Sequence, residues 1–403
     1  MNAVTVIGCD GHPLSPEATA ALATARTVIG AARQLGVVPL PPQAERVELR
    51  HLDEALGTVA AHPGPVAVLA SGDPGFFGIV RALRARGIRP RVIPAVSSVA
   101  LAFARIGLDW DDALVLSAHG RDPQRALAAA LAHPKAAVLT APGTARHLGQ
   151  ELLKAGKTVY VAELLGTPRE HLTDLAADPA RDPADPNILI SLDEPAGPAG
   201  PAEGTHAPSG PRWLAGHRGA PDGWALPEDA FAHRDSMITK AEVRALVLAR
   251  LGPGPGRTIW DVGAGSGSVA VECARFGAHV IAVEADPAQC ERIRHNAARQ
   301  HVRPRIVHGR APGALEGLPP ADAVFAGGGD RAVLEAAIAR AGPDRVVLTL
   351  AAVTRVGETA ALLAGHGYQP EGVQLQASRL TALPHAQLRL AAENPVFVLW
   401  GQR

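Results

Sequence analysis

The chain has 403 residues, enough for two or three domains at about 150 residues each. Hydrophobic residues at 47% and charged ones at 19% describe a globular protein, and 39 basic against 39 acidic residues exclude the global positive field of a nucleic-acid binder. Cys9, Cys273 and Cys290 make neither a disulfide framework nor a zinc set, and no stretch approaches the roughly 18 apolar residues of a membrane span. A cytoplasmic protein in a reducing compartment, without membrane or nucleic-acid partners and without a metal, is therefore expected.

In chain order, the first half alternates apolar strands with amphipathic helices. The pattern predicts a strand at 4–8, a helix at 16–30, a strand at 65–70, a helix at 75–86, a strand at 91–94, a helix at 97–107 and a strand at 112–118. It continues with a helix at 122–132, a strand at 136–141, a helix at 143–156 and strands at 158–165 and 187–192. Between Pro195 and Pro227 seven Pro and seven Gly fall within 33 residues, too dense for helix or strand, and predict a linker. Trp213 and Trp224 would allow it partial docking.

The second half opens with a helix at 240–251. Strands are predicted at 258–264, 279–285, 305–309, 321–327 and 344–350, with helices at 267–276, 287–300, 312–316, 330–341 and 355–365 between and after them. Late strands follow near 372–377 and 396–400. This order reads as a doubly wound α/β sheet whose ligand sits outside the carboxyl ends of its strands.

One turn in that half carries the strongest signal. Asp261-Val-Gly263-Ala-Gly265-Ser-Gly267 follows an apolar strand and opens a helix, so small residues let the backbone approach a ligand at a helix start. Seventeen residues past Gly267, Glu284 ends the next strand, where a carboxylate can accept both hydroxyls of a ribose. The spacing from Gly265 to Ala270 also satisfies a dinucleotide fingerprint, which keeps a nicotinamide cofactor and an oxidoreductase as rivals. Asp261 would repel a pyrophosphate but favour the cationic amino-acid tail of a sulfonium nucleoside, so S-adenosyl-L-methionine is the expected cofactor.

The segments HRDSMITKAEVRALVLARL, WDVGAGSGSVAVECAR, VEADPAQCERIRHNAAR and ADAVFAGGG resemble the class I methyltransferase domain of the decarboxylating precorrin-6Y methyltransferases of cobalamin biosynthesis, over about 232–400. The resemblance implies that Asp261, Gly263, Gly265, Gly267 and Glu284 bind S-adenosyl-L-methionine. Where the wider class often places an acid on the adenine amine, this chain has Arg310, leaving backbone and apolar packing around Arg310, Ala311 and Pro312 to hold the base. His233, Arg234 and Lys240 are the candidate partners for substrate carboxylates. Lys240 is one of only four lysines, against 35 arginines. The plainer reading of that segment is a solvated helix start capped by Thr239.

In the first half, Ser71-Gly72-Asp73-Pro74-Gly75 alone reads as a tight strand-to-helix turn. Together with VTVIGCDGHPLSPEA, RVIPAVSSVALAFARIGLDWDDALVLSAHGR and VYVAELLGTPREHL it resembles the tetrapyrrole (class III) methyltransferases over 1–192. That resemblance implies a second S-adenosyl-L-methionine, folded between two α/β subdomains and contacted by Gly72, Asp73, Pro74 and Gly78 and by Val96, Ser97 and Ser98. It also implies that Asp73 positions the cofactor or acts on a substrate proton. The opening segment, GxGPG in the wider family, is Gly8-Cys-Asp-Gly11-His here, so Cys9 reads as a buried apolar residue.

The expected organisation is thus α/β throughout: an N-terminal tetrapyrrole-methylase fold at 1–192, a Pro/Gly-rich linker at 193–231 and a C-terminal Rossmann-like class I methyltransferase and decarboxylase domain at 232–403. The resemblance implies one cofactor per domain, a precorrin-6Y tetrapyrrole as substrate, methylation at carbon 5 by the first domain, and methylation at carbon 15 with decarboxylation by the second. A homo-oligomer is expected. The alternative is a tetrapyrrole methyltransferase whose N-terminal domain only regulates, for which a degraded Gly-Asp-Pro turn would speak; here the turn is intact.

Overall fold

The computed structural model describes residues 3–49, 57, 59, 64–193, 216, 221–234, 238–328, 330–385 and 387–403. The chain divides into two compact units, 1–123 with 135–216 and 124–134 with 217–403. Most of the Pro/Gly-rich stretch, including Trp213, lies outside the described residues. Among the described residues no helix is long and apolar enough to cross a membrane.

The first unit holds two five-stranded sheets. Strands β1 (Val4–Cys9), β2 (Thr27–Gly30), β3 (Glu45–Glu48), β4 (Val66–Ser71) and β5 (Arg91–Ile93) form a parallel sheet in the order β3-β2-β4-β1-β5. Side-chain alternation buries both faces, as a parallel sheet requires. Val6, Val66 and Val68 pack on one side against α3 (Ile79–Ala85) through Ile79 and Leu83; Ile7, Ala67 and Leu69 pack on the other against α1 (Pro16–Ala23) through Ala18 and Leu22.

The helix expected over 16–30 is shorter than the sequence pattern suggested. It starts behind Ser15, whose side chain accepts the Ala18 N–H, and ends at Thr24, after which Thr27–Gly30 forms β2. The β-branched run Thr27, Val28, Ile29 fits a pleated, fully buried surface better than a helix, and tertiary burial decided it. A six-residue helix, α2 (Ala32–Val37), follows.

The second sheet contains β6 (Leu114–Ser117), β7 (Lys135–Leu139), β8 (Lys157–Glu163), β9 (His171–Asp174) and β10 (Asn187–Asp193) in the order β6-β7-β10-β8-β9, with β6 and β7 parallel and the other pairs antiparallel. Helix α4 (Ser98–Ile106) seals it with Val99, Ala102 and Phe103 against Ala137, Ala162 and Ile190. Helix α6 (Ala145–Lys154) completes this unit, whereas all but the first residue of α5 (Pro123–Ala132) falls in the second.

In the second unit, α7 (Ala241–Leu251) precedes β11 (Thr258–Val262), α8 (Ser268–Arg275), β12 (His279–Glu284), α9 (Pro287–Arg299), β13 (Arg305–His308), β14 (Ala323–Ala326), α10 (Arg331–Ala341), β15 (Arg345–Leu350) and α11 (Thr354–Gly365). Strands β16 (Gln369–Leu375), β17 (Ser378–Leu383), β18 (Gln387–Ala392) and β19 (Val396–Gln402) close the chain. The seven-stranded sheet has the order β13-β12-β11-β14-β15-β19-β16, parallel through β15, with β19 antiparallel to both its neighbours. The order reverses between β11 and β14, which opens a crevice at their carboxyl ends.

The helix expected at 312–316 is a single 3-10 turn at Gly313–Leu315. The hairpin β17–β18, not anticipated from sequence, springs from the carboxyl-end edge of the sheet between β16 and β19. Its alternation carries Leu380, Leu388 and Leu390 outward, each more than 60% exposed.

Candidate functional site

In the first unit three separate pieces of chain meet at the carboxyl ends of the parallel strands. Gly72 donates its N–H to the Cys9 carbonyl at 2.7 Å, joining the turn after β4 to the end of β1. A β-carbon on Gly8 would collide with the Gly72 carbonyl and fall 2.6 Å from the Ala95 nitrogen, so only glycine lets β1, the Gly-Asp-Pro turn and the β5–α4 loop close together. Asp10 braces the same junction: its carboxylate accepts the His12 N–H at 3.1 Å and the Val96 N–H at 3.3 Å.

Within the turn, Asp73 accepts the Gly75 N–H at 2.8 Å, an Asx turn that occupies one carboxylate oxygen. Pro74 is buried, and Gly78 is the N-cap of α3. Ser97 caps α4 by accepting the Ala100 N–H, and the Ser98 N–H lies against Gly72. Hence the turn carrying Gly72, Asp73, Pro74 and Gly78 lies against the loop carrying Val96, Ser97 and Ser98. Phe77, in the same loop, is exposed and adopts the left-handed region at φ 52°. Cys9 is half-buried rather than buried as expected, and desolvation still pushes its thiol up to about 11, which leaves it a poor nucleophile.

The second site is built on the switch point. Gly263, Gly265 and Gly267 all have positive φ, yet they serve differently. β-Carbons on Gly263 or Gly265 would meet nothing within 4 Å, so the turn faces open space there, whereas one on Gly267 would strike Ile293 of α9. The first two leave room for a ligand; the third lets two helices approach. Glu284 accepts the Gly265 N–H at 2.7 Å and those of Ala285 and Asp286 at 2.7 and 2.9 Å, holding the strand end and the turn in register. Asp261 is buried; one oxygen accepts the Ala270 N–H at 3.0 Å and the other has no partner. Burial pushes its carboxyl up to about 7 against the opposing pull of that N–H. An open cradle beside an orphaned buried oxygen fits a nucleoside with a cationic tail. Ala311 packs into the apolar cluster of Val307 and Leu315, beside an exposed Arg310.

The segment carrying His233, Arg234 and Lys240 is held by residues that the sequence reading passed over. Asn296, fully buried on α9, accepts the Ala232 N–H at 2.7 Å and donates to the Ala232 and Ser266 carbonyls at 2.9 and 2.8 Å, tying His233's neighbour to the glycine turn. Arg244 and Glu272, both wholly buried, pair at 2.9 Å. Arg244 also donates to the Thr239 and Leu226 carbonyls, and Glu272 accepts the Ala225 and Leu226 N–H groups at 3.0 and 2.8 Å. The signal for this pair was present: a charged residue sits inside the apolar stripe of each helix.

The cap reading needs correction. Lys240, not Thr239, is the N-cap residue of α7, and the Ala241 N–H is taken at 3.0 Å by Glu228, from a 3-10 turn at Glu228–Ala230. Glu228, held down to about 2 chiefly by the Arg379 guanidinium, and Glu242 both bind Arg379 at the root of the hairpin. Lys240 lies 3.8 Å from Glu393, Arg234 lies 3.9 Å from Asp286, and the His233 Nδ1 is buried without a partner. All three therefore stand at the carboxyl-end rim of the seven-stranded sheet.

Two family models match: tetrapyrrole (corrin/porphyrin) methylases over residues 7–178, and a precorrin methyltransferase domain over 229–397. A Sinorhizobium protein named precorrin-6Y C(5,15)-methyltransferase (decarboxylating) is 36% identical over 353 residues, covering 83% of this chain and 81% of its own. Shorter relatives match each half. A Pyrobaculum calidifontis protein named probable cobalt-precorrin-6B C(15)-methyltransferase (decarboxylating) is 31% identical over 43% of this chain and 93% of its own. A Salmonella typhimurium protein named cobalt-precorrin-7 C(5)-methyltransferase is 32% identical over 47% of this chain and 99% of its own. With similarity over four fifths of both chains and a family model on each half, the chain belongs to the decarboxylating precorrin-6Y C(5,15)-methyltransferase family.

Proposed function

We propose that the chain methylates precorrin-6Y at carbons 5 and 15 and removes the carboxyl of the ring C acetate, yielding precorrin-8x. The observation that carries this reading is the presence of two intact glycine turns, one at the carboxyl ends of each unit's parallel strands. The first unit acts at carbon 5; the second acts at carbon 15 and decarboxylates, in keeping with the single-unit relatives. The intact Gly72-Asp73-Pro74 turn favours a catalytic first unit over a regulatory one.

Bound in each cleft, S-adenosyl-L-methionine supplies an electrophilic methyl group. Methyl transfer to a nucleophilic ring carbon asks the protein for in-line positioning and exclusion of water rather than for a covalent intermediate. Glu284 is placed to accept ribose hydroxyls and Asp261 to face the amino-acid tail. Arg234, Lys240 and His233 hold peripheral carboxylates and orient the ring. The reacting acetate must not be gripped by them, because a strong cation on it would stabilise the ground state. As its carbon–carbon bond breaks, the electron pair passes into the conjugated ring, carbon dioxide leaves, and a proton returns to the methylene carbon.

We place the protein in the cytoplasm, where its three free cysteines remain thiols, and as a homo-oligomer, for which the outward leucines of the β17–β18 hairpin are the covering face. Incubation with precorrin-6Y and S-adenosyl-L-methionine tests the reaction: the product gains two methyl groups and loses one carbon dioxide. A product with one methyl, or with its acetate intact, would refute the assignment.

A further inference from the structure

We propose that Arg33, at the carboxyl edge of the first sheet, anchors a peripheral carboxylate of the substrate bound in the first unit. The inference rests on the functional reading above and adds a specific contact to it. Arg33 lies three residues past the end of β2, and β2 pairs with β4, whose last residue, Ser71, opens the Gly-Asp-Pro turn. The Arg33 Nη2 donates to the Ser71 Oγ, which also accepts the Gln34 Nε2 at 3.0 Å. Gln34 is 8% exposed and accepts the Ala31 N–H at 2.9 Å, so a packed amide aims the hydroxyl and the hydroxyl aims the guanidinium. With two donors directed into it, the Ser71 Oγ keeps its own proton to give outward.

Arg33 is aimed by Ser71 and at the same time has no acid among the described residues to neutralise it. Arg105, Arg181, Arg244 and Arg379 each grip a carboxylate of the protein, whereas no carboxylate among the described residues pairs with Arg33. Partial burial lowers the Arg33 pKa, and the titratable group beside it is the Cys9 thiol, which is neutral at ordinary pH and leaves the cation uncompensated. The guanidinium is exposed, stays charged, and retains a free edge beside the turn where the methyl acceptor must sit. An aimed, uncompensated guanidinium with a neighbouring hydroxyl donor is the complement of a carboxylate, and the tetrapyrrole substrate carries such groups around its rim.

The test uses the full chain, with methylation at carbons 5 and 15 scored separately and S-adenosylhomocysteine affinity measured by calorimetry. Arg33→Ala should raise KM for the tetrapyrrole in carbon-5 methylation by roughly tenfold or more, with a smaller change in kcat. Cofactor affinity and carbon-15 methylation should stay at wild-type values. Arg33→Lys should recover part of the loss, and Ser71→Ala, which loosens only the aim, should raise KM by roughly threefold. An unchanged KM in Arg33→Ala, or a loss of cofactor affinity that accounts for the rise, overturns the anchor. If the wild-type chain transfers no methyl to the tetrapyrrole, the functional reading itself falls.

Discussion

The second unit assembles its candidate site from one continuous stretch, Asp261 to Glu284, whereas the first unit draws on the ends of β1, β4 and the β5–α4 loop, far apart in sequence. In the second unit a strand, a glycine turn, a helix and the next strand end carry the geometry in their own spacing. In the first, no single piece means much until Gly8 lets the others close on it. A local site is robust to changes elsewhere but depends on what covers it; a composite site depends on every junction.

Breaking the cover of the local site should have the largest effect. Glu272→Ala strands Arg244 in the core and releases the Ala225 and Leu226 N–H groups, at about 3–5 kcal/mol. Urea unfolding followed by tryptophan fluorescence should show it, with carbon-5 methylation retained in water. Loss of both methylations in parallel would mean that the two sites do not depend on separate supports.

The pH dependence of stability sharpens the contrast further. Asp261 prefers to keep its proton in the folded state, so its contribution is fully present below its unfolded value, near pH 4, and is lost as pH rises through about 7. The slope over that window is about 1.4 kcal/mol per pH unit for a single group. Asp261→Asn should therefore gain stability relative to the wild type between pH 4.5 and 8. Parallel curves in urea titrations at pH 4.5, 6 and 8 would show that burial does not govern this carboxyl.

At the cofactor itself, Glu284→Ala should remove charge-assisted hydrogen bonds of roughly 1.5–3 kcal/mol each. S-adenosylhomocysteine should then bind the second site at least about tenfold more weakly. Calorimetry should still find the first site at wild-type affinity, and equal weakening of both would contradict the separation of sites.

The smallest effect separates two readings of Asp73. Its Asx bond to Gly75 survives in Asp73→Asn and is lost in Asp73→Ala, at about 1 kcal/mol. If the carboxylate acts on substrate or cofactor, both variants lose carbon-5 methylation; if it only shapes the turn, Asp73→Asn keeps it. Product analysis at carbons 5 and 15 decides between them.

Much of this was legible beforehand because it is local. Glycine spacing behind an apolar strand, an acid at the next strand end and alternating strand–helix periodicity state their own geometry, and they sufficed for the fold class and the family. The misjudged region, 16–30, fell where a helix and a short buried strand adjoin without a break in apolar pattern, so that partners rather than propensity chose the state. The supports were not legible either. Arg244 and Glu272 showed only as charges inside apolar stripes without revealing each other as partners, Asn296 read as an ordinary helix position, and Arg33, Gln34 and Ser71 as unrelated residues 38 positions apart at their extremes.

The amino-acid sequence by itself determined which segments turn and where glycine leaves the backbone open at a strand end. Only the tertiary structure decided which charges are neutralised and which are left facing outward. That outcome depends on distances between side chains from different elements: Arg244 finds Glu272 across two helices, Asn296 reaches both Ala232 and Ser266, and Arg33 meets a hydroxyl instead of an acid.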